Sequence, residues 1–324
     1  MSGWSRMSVL PPGALVLVLG SVALTGASQE RVRPVARSCF SATAAPEGGV
    51  LVWGGARSCG VGIVADTSLW SWNGQVWQAR AGPPIEPRDD ALLLGGPTDG
   101  VFTFFGGRRE GRAFDDLWVR EREVWRRLTP PGGPGPIQHG AAALDPSRRR
   151  IVVFGGAAGA AMSRTTYEWD GAVWHEFAVP GPAPRVGHGM AWSQQDGGVL
   201  LYGGFAEGQR FRDLWRWNGS SWRLLTESGP TYTEGPVVTE ADRGIYVIGP
   251  GLDDPAPSNV RVCRWNGEIF VSAGPARPPL RIGAGAVYDR TRRILVLWGG
   301  STEQGEADPR LWEFDGVAWH DRPR

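Results

Sequence analysis

Apolar residues in this chain come in short runs cut by glycine, and Gly187–Leu225 shows the unit most plainly. A small-residue run, Gly189–Trp192, is followed by a polar turn at Gln194–Gly198 and by Val199–Tyr202, which stops at Gly203-Gly204. After a loop, Asp213-Leu-Trp-Arg-Trp leads into Asn218-Gly219, and Ser221-Trp222-Arg-Leu-Leu follows. No helical period runs through the unit, so it predicts four short strands in one antiparallel sheet. Asn-Gly between aromatic runs predicts a type I′ hairpin, with positive φ at both central residues. The diglycine predicts a strand end where the backbone turns sharply.

The unit recurs. Its last hairpin closes on Trp77, Trp125, Trp174, Trp222, Phe270 and Trp319, 48 or 49 residues apart. The diglycine returns as Gly54-Gly55, Gly106-Gly107, Gly155-Gly156, Gly203-Gly204 and Gly299-Gly300, and decays to Gly249-Pro250-Gly251 in the fifth unit. The turn returns as Asn73-Gly74, Asp170-Gly171, Asn218-Gly219, Asn266-Gly267 and Asp315-Gly316, with Glu121-Arg122-Glu123 in the second unit. A period near 50 with four strands per unit is the pattern of propeller blades. One such sheet cannot bury its aromatic face alone, whereas a ring of them can.

The strand-ending diglycine, the aromatic pair Trp215 and Trp217, and Trp222 of the fourth strand resemble the kelch repeat, over nearly everything after residue 35. The resemblance implies an all-β fold: one six-bladed β-propeller of four-stranded antiparallel blades, over residues 36–324. Each unit is contiguous, so closure is expected from packing of blade six on blade one, without a swapped strand. The family includes actin binders, substrate adaptors, sugar oxidases and sialic acid mutarotases, so the resemblance speaks for fold more than for function.

Composition adds to this picture. The net charge is +1 and every basic residue is arginine, which excludes bulk attraction to nucleic acid or lipid headgroups. Residues 1–27 read as an export signal: Arg6, then the apolar run Ala14–Ala27 with small residues before Ser28. Residues 28–35 read as an exposed tail. The expected protein is a monomer that is secreted, periplasmic or at the cell surface, without stable membrane insertion. Cys39 and Cys59 stand at neighbouring strand ends of the first unit, and a disulfide between them fits an oxidising compartment. Cys263 occupies a column held elsewhere by aromatic residues, as a small core hydrophobe would.

Loops between the second and third strands share a face with the crossings between blades, and such loops carry function on rigid scaffolds. Counting back from each diglycine gives a column of strand starts: Cys39, Asp90, His139, His188, Glu234 and Ala284. Just before them lie Arg37, Arg88, Arg185 and Arg281, and the loops add Arg57, Arg108, Arg109, Arg112, Arg164, Arg210 and Arg212. The reading favoured is a binding module that meets a protein or polysaccharide with anionic groups at an arginine-rich channel mouth. There Arg37, Arg88, Arg185 and Arg281 would pair with carboxylates, and His139, His188, Asp90 and Glu234 would add polar contacts. The competing reading of these arginines, each shortly after a proline, is structural, with the guanidinium bonding loop carbonyls. Two alternatives stand beside the binding module: an enzyme on acidic sugars, mutarotase- or epimerase-like, and a purely architectural surface protein. No cofactor or metal is expected, and no nucleophile triad, phosphate loop or zinc-spaced cysteine set can be read in the chain.

Overall fold

The computed structural model describes residues 33–59, 61–64, 66–96, 102–232, 235–242, 244–251, 259–275, 277–279, 281–302 and 304–322. Contacts divide the chain into two units, Met1–Arg31 and Val32–Arg324, and every described strand belongs to the second. The expected export signal, and the tail up to residue 32, lie outside the described residues.

Six four-stranded antiparallel sheets form, each drawn from one sequence repeat. Their inner strands are Ser41–Ala44, Leu92–Gly95, Ala141–Asp145, Gly189–Ser193, Val237–Glu240 and Gly285–Asp289. Within each sheet the strands lie in chain order from inner to outer. Each inner strand touches the next around a ring, and the last touches the first. The fold is therefore a β-propeller with four-stranded antiparallel blades. Among the described residues, four of the loops after a diglycine carry a further short two-stranded ribbon, such as Phe205–Ala206 with Gln209–Arg210.

The recurring outer-strand aromatic is mortar between blades. Trp222 packs on Phe154 of the preceding blade with ring centroids 5.4 Å apart, Trp174 on Phe105 at 5.5 Å, and Trp77 on Trp298 of the last blade at 5.1 Å. The core thus lies in the seams between blades, where Val199, Leu201, Trp217 and Trp222 meet Val152 and Phe154.

The tight turns differ from expectation. Trp72 pairs with Trp77, so the loop holds four residues, and only Gly74 has positive φ, at 96°. Asn73 works through its side chain: Oδ1 accepts the backbone N–H groups of Gln75 at 3.0 Å and Val76 at 2.9 Å. The same arrangement recurs at Asp170, Asn218, Asn266 and Asp315. In the divergent second repeat, Glu121 pairs with Val124, and both Arg122 and Glu123 have positive φ (48° and 70°). The two-residue turn with the predicted type I′ signs is thus the one that lacks glycine.

Candidate functional site at the channel mouth

Four loops on the crossing face are held by one repeated clamp. Arg185 has no exposed surface. Its Nε donates to Ala183 O at 3.0 Å, Nη1 to Gly203 O at 2.9 Å, and the fork reaches Asp213 at 2.6 and 2.8 Å. Arg37 does the same with Val35 O, Gly54 O and Asp66, and Arg88 with Glu86 O, Gly106 O and Asp116. Arg281 reaches Gly299 O and Asp308. Phe211 lies under Arg185 and Phe114 under Arg88, with ring centroids 4.0 and 3.7 Å from the guanidinium carbon. Burial lowers the pKa of Arg37, and brings that of Arg281 down to about 10.

The expectation that these four arginines contact a ligand is therefore corrected. They are buried, and each carries its own aspartate and glycine carbonyl. A guanidinium donates in a fixed fork, and here the fork ties the strand start to the diglycine turn and the following loop. The arginines of this face that stay exposed without a carboxylate partner among the described residues are in the loops: Arg57, Arg112, Arg164, Arg210 and Arg212.

The column of strand starts also shifts. Cys39, Asp90, His139, Gly187 and Gly283 share a left-handed backbone, with φ between 51° and 66°. They link blade to blade: Asp90 N donates to Cys39 O at 3.0 Å, Gly187 N to His139 O at 2.9 Å and Cys39 N to Gly283 O at 2.8 Å. His188 and Ala284 lie one residue beyond this ring. His188 is buried, and its Nε2 lies 3.1 Å from Phe154 O, to which the neutral ring donates. Burial, with the Arg185 charge second, pulls its pKa down to about 3. It is a neutral wall residue, and the expectation of a polar contact at the mouth is corrected for it. Glu234 lies outside the described residues.

Asp90 and His139 are brought together. Asp90 Oδ2 lies 3.1 Å from His139 Nδ1 and 3.0 Å from Arg108 Nε. Oδ2 is enclosed and receives no aligned hydrogen bond from either. Arg108 also reaches Asp89 at 3.3 Å. Burial lifts the Asp90 carboxyl above its ordinary range and Asp89 adds to this, while His139 and Arg108 pull the other way. The His139 side chain is 36% exposed. Nothing among the described residues donates to Asp90 Oδ1.

Asp90, His139, Gly187 and His188 line one end of a cavity of about 700 Å³ that follows the inner strands, with Trp192 further in and Glu240 and Arg290 lining it at the other end. That size suits a small ligand or one end of a larger one. Cys39 and Cys59 are disulfide-bonded at the same rim, with Cα atoms 5.3 Å apart. Among the described residues no three His, Cys, Asp or Glu side chains gather as a metal ion would require, and no helix is long and apolar enough to cross a membrane.

Sequence reasoning missed Phe205. The residue after the diglycine bridges to the strand start in each blade, and this column reads Ala56, Arg108, Ala157, Phe205, Gly251 and Ser301. Two of these are large: Arg108, which holds Asp90, and Phe205, which is 37% exposed and lines the cavity. Reading that column would have found it.

The solved structure of YjhT is similar to this one, with a TM-score of 0.67 and 16% identical residues over 90% of this chain and 98% of that one. At that identity the likeness speaks for the propeller fold alone. No family model matches the chain, and no curated protein does.

Proposed function

We propose that this chain is an exported propeller of the kelch type that acts as a binding module, meeting a protein or polysaccharide partner at the channel mouth through Asp90, Arg108 and His139. The observation that carries this reading is the mouth itself. A partly exposed histidine, and a carboxylate with one oxygen free of donors among the described residues, stand at the rim of a 700 Å³ cavity. The loops around that rim are fixed in place by buried arginine clamps, so little ordering is left to be done on binding. The exposed Arg57, Arg112, Arg164, Arg210 and Arg212 supply attraction for anionic groups on the partner. The Cys39–Cys59 disulfide supports export.

A second reading, an enzyme on acidic sugars, is favoured by one observation. Asp90 Oδ2 stands 3.1 Å from His139 Nδ1, on the edge of the ring opposite Nε2, the side from which a carboxylate orients a general base once the bond aligns. Pull-down and thermal-shift measurements with the wild type and the Asp90→Asn and His139→Ala variants test both. A ligand that raises the melting temperature of the wild type, and raises it much less in both variants, is the expected result. Turnover of that ligand, lost in His139→Ala, would select the enzyme. Full retention of binding by both variants would remove the mouth from consideration.

A further inference from the structure

We propose that the mouth takes a sugar ring, with one apolar face of the ring on Phe205 and its hydroxyls turned to Asp90 and His139. This rests on the reading of the mouth as the binding site and adds the class of ligand.

Phe205 is the one aromatic among the large hydrophobic side chains left exposed in the described residues; the others are valines and one isoleucine. The recurring large rings of the repeat are spent in the seams between blades. The fold does not need a ring at this position, since the same column holds Ala56, Ala157 and Ser301 in other blades. Its ring instead lies beside Gly187, close enough that a Cβ at that glycine would come within 3.0 Å of it, and the Gly235 Cα is 3.8 Å from the same point. Two glycines therefore keep the ground next to the ring flat. Gly187 in turn donates to His139 O at 2.9 Å, so the platform and the polar cluster are joined through one residue.

The chemistry on the two sides is complementary to one class of molecule. An aromatic face is apolar, and its exposed area is lost to water unless a flat apolar surface covers it. Asp90 Oδ1 accepts only, His139 Nε2 accepts or donates, and Arg108 donates. A ligand that satisfies all of these needs an apolar face and a rim of groups that both give and take hydrogen bonds. A hydroxylated ring has both. An acidic peptide fits less well, because Asp90, the partly exposed carboxylate of this cluster, would face its carboxylates next to the platform. A cavity of about 700 Å³ suits a terminal ring or a single residue of a longer glycan.

The test is isothermal titration of the purified protein with the methyl glycosides of glucose, galactose, mannose and N-acetylglucosamine, with glucuronate, and with a short polyglutamate peptide. The variants are Phe205→Ala, Phe205→Trp, Asp90→Asn and His139→Ala. Phe205 is on the surface, so its variants are expected to keep the wild-type melting temperature. The expected result is millimolar binding of at least one glycoside, weakened about tenfold in Phe205→Ala and kept in Phe205→Trp. Absence of binding by every sugar, or equal binding by Phe205→Ala, overturns the proposal. Polyglutamate binding that depends on Asp90 and His139, without sugar binding, would overturn the sugar while leaving the mouth as the site. Sugar binding indifferent to all four variants would overturn both.

Discussion

His188 is one residue away from the mouth ring, and that step changes its chemistry. Its backbone follows the left-handed Gly187, which swings the imidazole into the seam against Phe154, with ring centroids 5.6 Å apart. There its pKa is near 3, against an ordinary 6.5, because burial and the Arg185 charge disfavour the imidazolium more than Phe154 O and Asp213 favour it. Between those two values the unfolded chain binds a proton that the folded chain does not. Stability from this residue is therefore complete above about pH 6.5 and is lost as the pH falls toward 3, by up to ~1.4 kcal/mol per pH unit. Urea unfolding between pH 7 and pH 4 is expected to show a shallower pH slope for His188→Gln than for the wild type. Equal slopes would assign the dependence to other groups. Asp170 and Asp315 contribute in a lower window: their carboxyls are held near 2, by His175 and His320 and by hairpin N–H groups, against an ordinary 3.8. That stabilisation is present above 3.8 and lost as the pH falls through 2.

At the scale of the element, the unit of construction is the loop with its clamp. In the fourth blade Arg185 joins three segments, and Trp215 Nε1 adds a bond to the same Asp213 at 2.7 Å. Removing the guanidinium leaves a shielded aspartate and an unsatisfied Gly203 carbonyl. Arg185→Leu is expected to cost ~3 kcal/mol or more. Arg185→Lys is expected to recover little, because an ammonium cannot reach all three acceptors in one plane. By contrast Arg210→Ala, in the exposed ribbon beside Phe205, is expected to change stability by less than ~0.5 kcal/mol. Urea midpoints for the three variants check this, and a small loss in Arg185→Leu would show that the clamp does not hold the loop. The clamp also marks where sequence reading stopped. Asp116 and Asp213 stand before Leu-Trp in the sequence, and Arg37, Arg88, Arg185 and Arg281 form a column, each with a proline one to three residues before it. Nothing in a linear sequence says that the two meet across 28 residues and shield each other from solvent. The diglycines, the Trp column and the positions of the hairpin tips, though not their turn type, were legible because each is dictated by local backbone shape or by a repeating seam. Asp90 with His139 was legible as a column and not as a contact. Phe205 was passed over because its column varies, and its exposure depends on where a two-residue ribbon points.

At the scale of the molecule, closure is the problem that any ring with a wholly C-terminal last blade must solve. Sheets one and six exchange no strand. The seam between them includes Gly300 N to Arg37 O at 2.9 Å, Trp72 Nε1 to Glu313 Oε1 at 3.2 Å, and the packing of Phe40 and Trp77 on Trp298. Equivalent bonds join the other blades, as Trp217 does to Glu168 at 2.6 Å, but there the chain itself also tethers neighbours. At this seam the tether is absent, and the disulfide takes a position that compensates. Cys39 N donates to Gly283 O, and a Cβ on Gly283 would run into both sulfurs, so the sixth blade rests directly on the cystine. Cys39→Ser with Cys59→Ser is therefore expected to lower stability by ~2–4 kcal/mol. It should also lower it unevenly. Hydrogen exchange should quicken first in the strands Val50–Trp53, Leu69–Trp72, Ile294–Trp298 and Leu311–Phe314, on the two sides of the seam. Val199–Tyr202, on the opposite side of the ring, should keep its protection until global unfolding. A uniform rise across all blades would mean that the ring opens as one cooperative unit and that the cystine acts only through the unfolded chain. An uneven rise would make the seam the weakest joint of the propeller, and would explain why the one cystine sits there.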